Sequence, residues 1–327
     1  MENFPVHLKD VFEARQRIQS SILRTPLIHS TFLSNHIGVP VYLKLENLQI
    51  TGSFKFRGAL NKIISLTDEE KARGLITVSS GNHGKAVAWA AHHLGIPATV
   101  CLSDKTPKNK IEGIRRFGVN TVIEGGSYDE AEEVALNRAK EHQLVFIDSF
   151  DDPLVIAGQG TIGLELFEEL SDFENIFIPL SGGGLASGVS LFTKTSNPAV
   201  KIFGVQMERA PVMYTSLKAG RPLHLPEEAT LADGLKGGIG MDNRFTFNYC
   251  KRYLDEILLV SEEEIARAMA ILFRDHHLVI EGSGAVGVAA LLSGRIKPAG
   301  KTVVILSGSN VEIPVLLEIM ARYKDID

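Results

Sequence analysis

Short apolar runs alternate with segments of helical pattern along most of the chain. The runs lie at residues 41–45, 74–78, 98–102, 121–123, 175–180, 201–205 and 302–306. Strands of a parallel sheet that is covered on both faces have nearly continuous apolar runs, whereas half-exposed strands alternate apolar and polar residues. The pattern therefore predicts an α/β fold built on open parallel sheets.

Length, composition and charge are those of a globular protein. The 327 residues suggest about two domains, and 44% apolar with 22% charged residues excludes a disordered chain. A formal net charge of −5 gives no general attraction for nucleic acid or for an anionic membrane. The two cysteines, Cys101 and Cys250, form no CxxC pair, which disfavours a disulfide framework or a thiolate zinc site. Because the sequence has no signal-peptide pattern and no apolar stretch of ~20 residues, we expect a cytoplasmic protein.

Chemistry is expected where the strands end, because ligands of open parallel sheets bind beyond the carboxyl ends of the strands. One such junction, Thr51–Gly58, places Lys55 between Phe54 and Phe56. Desolvation lowers the pKa of a lysine from about 10.4, and a free amine can form a Schiff base with a carbonyl. The alternative is a surface lysine whose stem packs along apolar side chains.

Three further junctions carry small polar residues or glycine. Ser181–Gly188 has three consecutive glycines before a helix, which suits a phosphate, although a flexible turn has the same composition. It lacks the Gly-Lys-Ser/Thr of a P-loop. Ser79–Gly84 offers donors to a ligand or simply caps a helix. Ser307–Asn310 places the neutral hydroxyl of Ser307 at the end of the last strand.

The segment Gly282–Gly287 matches the dinucleotide pattern GxGxxG. A Rossmann unit also needs an acidic residue about 20 positions later, at the end of the next strand, to bind the ribose. Here that strand, at residues 302–306, ends without an acid. NAD binding is therefore disfavoured.

In this order, the four strand-end junctions resemble those of the fold-type II pyridoxal-phosphate enzymes, specifically threonine dehydratase and serine racemase. The likeness extends to residues 24–27, 44–47, 150–153, 156–161 and 232–234. It implies a fold similar to the tryptophan synthase β chain, with two open parallel-sheet domains, the smaller inserted in the larger. The implied large domain, at residues 1–50 and 151–327, binds pyridoxal phosphate. The implied small domain, at residues 51–150, carries the loop for the substrate carboxylate. The resemblance also implies a homodimer.

The resemblance assigns roles to particular residues. It implies that Lys55 holds the cofactor and acts as the base, while Ser80 faces the opposite side of the substrate Cα. The implied cofactor-binding residues are Phe54, Lys55, Asn82, Ser181, Gly182, Gly183, Gly184, Leu185, Gly234 and Ser307. The implied substrate-binding residues are Ser79, Ser80, Gly81, Asn82 and His83.

The implied function is that of an ammonia-lyase, which deaminates a small β-hydroxy amino acid such as threonine or serine to a 2-oxo acid and ammonia. An amino-acid racemase that uses Lys55 and Ser80 is one alternative. A protein that binds pyridoxal phosphate without turnover is another.

Two segments refine this expectation. Leu235–Arg244 resembles a stretch of the hydroxyectoine-utilisation dehydratases, in which Asp242 would meet a second ammonium of a hydroxylated diaminobutyrate; the alternative is a glycine-rich surface loop. Gln206 and Val212 stand where serine racemases carry the acidic ligands of a divalent cation, so we expect no metal site, although Glu208 is near.

Overall fold

The computed structural model describes residues 4–324, apart from the side chains of Asn109 and Asp129. In chain order, the strands of this range are β1 (Leu27–His29), β2 (Val41–Lys44), β3 (Leu75–Val78), β4 (Ala98–Leu102), β5 (Asn120–Ile123), β6 (Val145–Phe146), β7 (Asn175–Pro179), β8 (Lys201–Met207), β9 (Glu256–Val260) and β10 (Thr302–Ile305). The helices are α1 (Leu8–Ile18), α2 (Thr31–Ile37), α3 (Lys55–Ile64), α4 (Asp68–Arg73), α5 (Asn82–Leu94), α6 (Lys108–Arg115), α7 (Tyr128–Glu141), α8 (Pro153–Glu169), α9 (Gly184–Ser196), α10 (Val212–Ala219), α11 (Thr246–Tyr253), α12 (Glu262–His276), α13 (Gly282–Leu292) and α14 (Ile313–Arg322). Short 3-10 helices span Glu46–Leu48 and Asp233–Leu235.

The larger sheet of the described residues has six strands in the order β1-β2-β10-β7-β8-β9. β1 is antiparallel to β2, and the other neighbours are parallel. At its centre, Val304 pairs with Leu43 on one side and Phe177 on the other, and all three are buried. The apolar runs predicted β2, β7, β8 and β10 of this sheet but not β1 or β9.

The smaller sheet has four parallel strands in the order β5-β4-β3-β6. All four lie between β2 and β7 in the sequence, so this sheet is inserted into the chain of the larger one. The predicted fold class, an α/β protein of two parallel-sheet domains with the smaller inserted, is confirmed. The boundaries at residues 50/51 and 150/151 stay a prediction, since α3 packs against both α5 and α8.

Helix α3 begins at Lys55 and crosses α8 closely. A Cβ added at Gly58 would lie 2.4 Å from Nε2 of Gln159, and one at Gly158 would lie 2.7 Å from the carbonyl oxygen of Arg57. Glycine is therefore needed at both positions for this approach.

A cluster of buried charges fixes α3 to β2 and α8. The guanidinium of Arg57 contacts Glu46 at 2.8 Å and Glu165 at 2.7 Å, and Nζ of Lys44 contacts Glu165 at 2.8 Å. All four side chains are fully buried. Burial alone would lower the pKa of Arg57, but the two carboxylates raise it above its ordinary value. Each charge is thus paired, as buried charges must be.

Within residues 4–324, no helix combines the length and the apolar character that a membrane span requires.

Candidate active site

A cleft of about 980 Å³ opens where strands of both sheets end. Its walls come from the segments that follow β3, β7 and β10 and from the start of α3. Every predicted site residue lines this cleft: Phe54, Lys55, Ser79, Ser80, Gly81, Asn82, His83, Ser181, Gly182, Gly183, Gly184, Leu185, Gly234 and Ser307. The fold therefore brings all of these residues together.

Lys55 presents an amine to the cleft. Its Nζ donates a hydrogen bond to the carbonyl oxygen of Ser149 at 2.8 Å. Burial lowers the pKa of Lys55 to about 8, although Asp148 acts in the opposite direction. The start of α3 is held in place because the backbone N–H of Phe54 donates to the carbonyl oxygen of Ser307 at 3.1 Å. A larger fraction of this amine is therefore unprotonated near neutral pH than for an exposed lysine.

The glycine loop after β7 leads into α9. Gly183 has φ of +89° and precedes the helix, whose N-terminus has no side-chain cap. A Cβ at Gly182 would lie 2.4 Å from the ring of Phe150, and one at Gly184 would lie 2.9 Å from Cα of the same residue. The loop thus packs tightly on Phe150 while the first N–H groups of α9 stay open, an arrangement that suits an anion.

The loop after β3 forms a second open helix N-terminus. α5 begins at Asn82, and Gly81 before it provides no side-chain cap. A Cβ at Gly84 would lie 2.1 Å from the carbonyl oxygen of Ser79, so glycine is required for the loop to turn this sharply. Backbone donors at this helix start suit a carboxylate.

His83 contributes shape rather than charge. Its Nε2 lies 3.0 Å from the carbonyl oxygen of Ile147, and its side chain is buried. Burial, together with the charge of Lys55, lowers the pKa of His83 to about 3. The imidazole is therefore neutral at physiological pH, and its contact with Ile147 anchors the loop.

Lys85, Glu281 and Asn310 also line the cleft and are not among the predicted site residues, although Asn310 belongs to the predicted junction after β10. Glu281 accepts a hydrogen bond from Nδ2 of Asn82 at 2.7 Å, and Nδ2 of Asn310 donates to Oδ1 of Asn82 at 2.6 Å. Burial and the charge of Asp233 raise the pKa of Glu281 to about 7. The signal for Glu281 is present in the sequence, because it is the only charged residue between positions 278 and 292.

The GxGxxG segment does not form a nucleotide-binding loop. Gly282 begins α13, and a Cβ there would lie 2.1 Å from the carbonyl oxygen of Leu231. A Cβ at Gly284 would lie 2.8 Å from the carbonyl oxygen of Gly308, and one at Gly287 would lie 2.6 Å from Val304. These glycines serve the close packing of α13 on its neighbours.

Asp242 and Glu208 lie away from the cleft lining. Asp242 is exposed and does not line the cleft, which favours the surface-loop alternative, and its contact with a substrate ammonium stays a prediction. Glu208 pairs with Arg295 at 3.7 Å, and Oε1 of Gln206 accepts from the backbone N–H of Tyr214. The part of the chain that the structure describes holds no group of three or more potential metal ligands.

The cleft thus combines a lysine amine of lowered pKa with two uncapped helix N-termini at the ends of parallel strands, as expected of a fold-type II pyridoxal-phosphate enzyme. The chain belongs to the family of pyridoxal-phosphate dependent enzymes, whose sequence model matches residues 18–308. The predicted family and cofactor are thereby confirmed.

Particular relatives share nearly the whole chain. The L-threonine ammonia-lyase of Thermotoga maritima is 44% identical over 97% of this chain and 79% of its own length. The structure of maize serine racemase superposes with a TM-score of 0.91 at 34% identity, over 98% of this chain and 99% of that one. The processed form of threonine deaminase isoform 2 from Solanum lycopersicum superposes with a TM-score of 0.87 at 35% identity, over 98% and 96% of the two chains.

The residues of the cleft fit pyridoxal phosphate. Lys55 would supply the amine for its aldehyde, and the uncapped start of α9 would supply N–H donors for its phosphate. Ser307 offers a neutral hydroxyl, which suits an unprotonated pyridine nitrogen.

Proposed function

We propose that the protein is an ammonia-lyase that converts a small β-hydroxy α-amino acid, such as threonine or serine, to a 2-oxo acid and ammonia. The observation that carries this proposal is the amine of Lys55, whose pKa is lowered to about 8 in a cleft flanked by the open N-termini of α5 and α9. The relatives that are named as threonine ammonia-lyases and deaminases support the same reaction.

Different residues of the cleft are proposed to contact different parts of the cofactor. The loop Ser181–Leu185 and Gly234 would hold the cofactor, and Phe54 would pack against its ring. Asn82 would donate to its ring hydroxyl, and Ser307 would hydrogen-bond to its pyridine nitrogen. Pyridoxal phosphate, when bound, accepts the electron pair that is released at the substrate Cα.

Substrate binding places the reacting atoms beside Lys55. The loop Ser79–His83 binds the substrate carboxylate with the N–H groups at the start of α5. Nζ of Lys55 removes the Cα proton, which requires an unprotonated amine and therefore benefits from its lowered pKa. The β-hydroxyl takes up one proton, which balances the proton removed from Cα, and leaves as water. The released enamine tautomerises to an imine, which one water hydrolyses to the 2-oxo acid and ammonia.

The experiment is a direct assay of both products. We expect purified protein loaded with pyridoxal phosphate to release equal amounts of 2-oxo acid and ammonia from threonine or serine. Lys55→Ala removes the base and should abolish this release, whereas Lys62→Ala, on the same helix but outside the cleft, should retain it. Absence of both products from every small β-hydroxy amino acid contradicts the proposal and favours a protein that binds the cofactor without turnover.

Racemisation is a second candidate, and the presence of Ser80 in the cleft favours it. A racemase must return a proton to the face of Cα opposite Lys55, and the hydroxyl of Ser80 is the proposed donor. Ser80→Ala would then abolish exchange between L- and D-serine while β-elimination from L-serine continues. The hydroxylated diaminobutyrate alternative loses its support, because Asp242 does not line the cleft.

We also propose a cytoplasmic homodimer, on the strength of the family resemblance. Sedimentation of the purified protein tests the dimer: a single species of twice the 35.7 kDa chain is expected, and a monomer at all concentrations contradicts it.

A further inference from the structure

The side-chain amide of Asn82 forms hydrogen bonds with two residues that are not among the predicted site residues. Oε1 of Glu281 accepts from its Nδ2 at 2.7 Å, and Nδ2 of Asn310 donates to its Oδ1 at 2.6 Å. We infer that Glu281 is a positioning residue for the cofactor, which fixes the Asn82 amide so that its second N–H is donated to the ring hydroxyl of pyridoxal phosphate. This inference rests on the proposed role of Asn82.

Hydrogen-bond accounting supports this orientation. An ionised carboxylate only accepts hydrogen bonds, so Asn82 must turn its NH₂ group toward Glu281. The amide oxygen then meets the donor of Asn310. One N–H of Asn82 remains uncommitted by these contacts, and an N–H donor is what the oxygen of a phenolate requires.

Glu281 is itself held rigidly. Its Oε2 accepts from the backbone N–H of Asn310 at 2.8 Å, and the side chain is 4% exposed. A Cβ at Gly308 would lie 2.5 Å from Oε1 of Glu281, so the backbone presses directly on the carboxylate. The Glu281 carboxylate is therefore buried, accepts two hydrogen bonds and has little space to rotate. Its fixed position in turn fixes the orientation of the Asn82 amide.

The surrounding charges make the hydrogen bond between Glu281 and Asn82 sensitive to pH. Asp233 faces Glu281 from its 3-10 helix, Lys85 from α5 and Lys110 from α6. Lys85 also donates to Oδ1 of Asn310 at 2.9 Å, which ties it to the same network. With burial and Asp233 raising its pKa to about 7, Glu281 becomes protonated just below neutral pH and then offers a donor that can compete with the NH₂ of Asn82.

The test is a titration of cofactor-free protein with pyridoxal phosphate, followed by its visible absorbance, between about pH 6 and pH 8. We expect Glu281→Gln to raise the dissociation constant about tenfold at the upper end of this range, because a charged acceptor is lost. The variant should also lose the tightening of binding that wild type shows as the pH rises through about 7. Lys55 titrates in both proteins, so the difference between them isolates Glu281.

A double-mutant cycle decides whether Glu281 acts through Asn82. Asn82→Ala should itself weaken cofactor binding, and adding Glu281→Gln should then weaken it no further. Additive effects of the two changes, or an unaltered dissociation constant in either single variant, would overturn the inference. Because no amino acid is present, a failure to deaminate threonine leaves the outcome unaffected.

Two further variants secure the interpretation. Glu312→Gln changes an acid at the same cleft that pairs with Lys110 at 3.7 Å, and it should leave cofactor binding unchanged. If Glu281→Gln does not fold, Asn310→Ala removes the other contact to the Asn82 amide, and the same cycle applies. An effect of Asn310→Ala that persists in full in the Asn82→Ala background would equally overturn the inference.

Discussion

Two cations at the start of α3 lie two residues apart in contrasting surroundings. Arg57 is fully buried between Glu46 and Glu165, and their charges raise its pKa. Lys55 is also desolvated, but its amine donates to the carbonyl oxygen of Ser149 rather than to a carboxylate, and its pKa falls to about 8. Both cations are therefore desolvated. Arg57 has carboxylate partners and acts as a structural cation, whereas Lys55 lacks them and presents a reactive amine.

The largest expected effect separates reactivity from stability at Lys55. Lys55→Met should lower turnover at least ~1,000-fold, because the variant has no amine to hold the cofactor or to move the Cα proton. Its cofactor-free form should be no less stable than wild type, since no ion pair is lost. Steady-state ammonia release and urea unfolding measure the two quantities. A variant that is inactive because it has lost stability would remove the distinction between Lys55 and Arg57.

The reverse outcome is expected at Arg57. Arg57→Met leaves Glu46 and Glu165 buried without their main partner, which costs about 3–5 kcal/mol of unfolding free energy. Urea unfolding of the cofactor-free protein measures this loss. Arg73→Met, at an exposed position, is the control and should change stability by less than about 0.5 kcal/mol. A loss at Arg57 as small as that of the control would show that the cluster relaxes around the missing charge.

Sequence alone could locate Lys55 but not the cluster that holds its helix. Most strands, the lysine and the glycine loop are local patterns, and a few neighbouring residues are enough to predict each of them. Arg57 and Glu165 are 108 positions apart, so only the fold shows that they pair. Glu281 and Asn82 are 199 positions apart, and the same applies to their contact. For Asp242 the local pattern left two alternatives open, and its position away from the cleft lining favours the surface loop.

The pH dependence of stability should carry the signature of Lys55. Its pKa is about 8 in the folded protein against 10.5 when unperturbed, so between these values the unfolded chain binds the extra proton and stability rises with pH. Below about pH 8 both states are protonated and the contribution is constant. Relative to Lys55→Met, cofactor-free wild type should gain about 1–3 kcal/mol across this window, less than the full shift because water enters the cleft. Unfolding free energies of both proteins at several pH values measure the gain, and parallel curves would contradict the lowered pKa.

The smallest effect is expected at Lys62, a third cation on α3. Its Nζ lies 2.6 Å from Oδ2 of Asp152, and the two side chains are 18% and 15% exposed. Lys62→Met and Asp152→Asn, alone and combined, should give a coupling of about 0.5–1 kcal/mol that shrinks at high salt. Asparagine retains the cap that Asp152 provides at the start of α8, so the cycle reports charge alone. A coupling that rivals the loss at Arg57 would mean that partial exposure does not weaken ion pairs along this helix. Partners and burial would then not explain the different effects expected for substitutions of Lys55, Arg57 and Lys62.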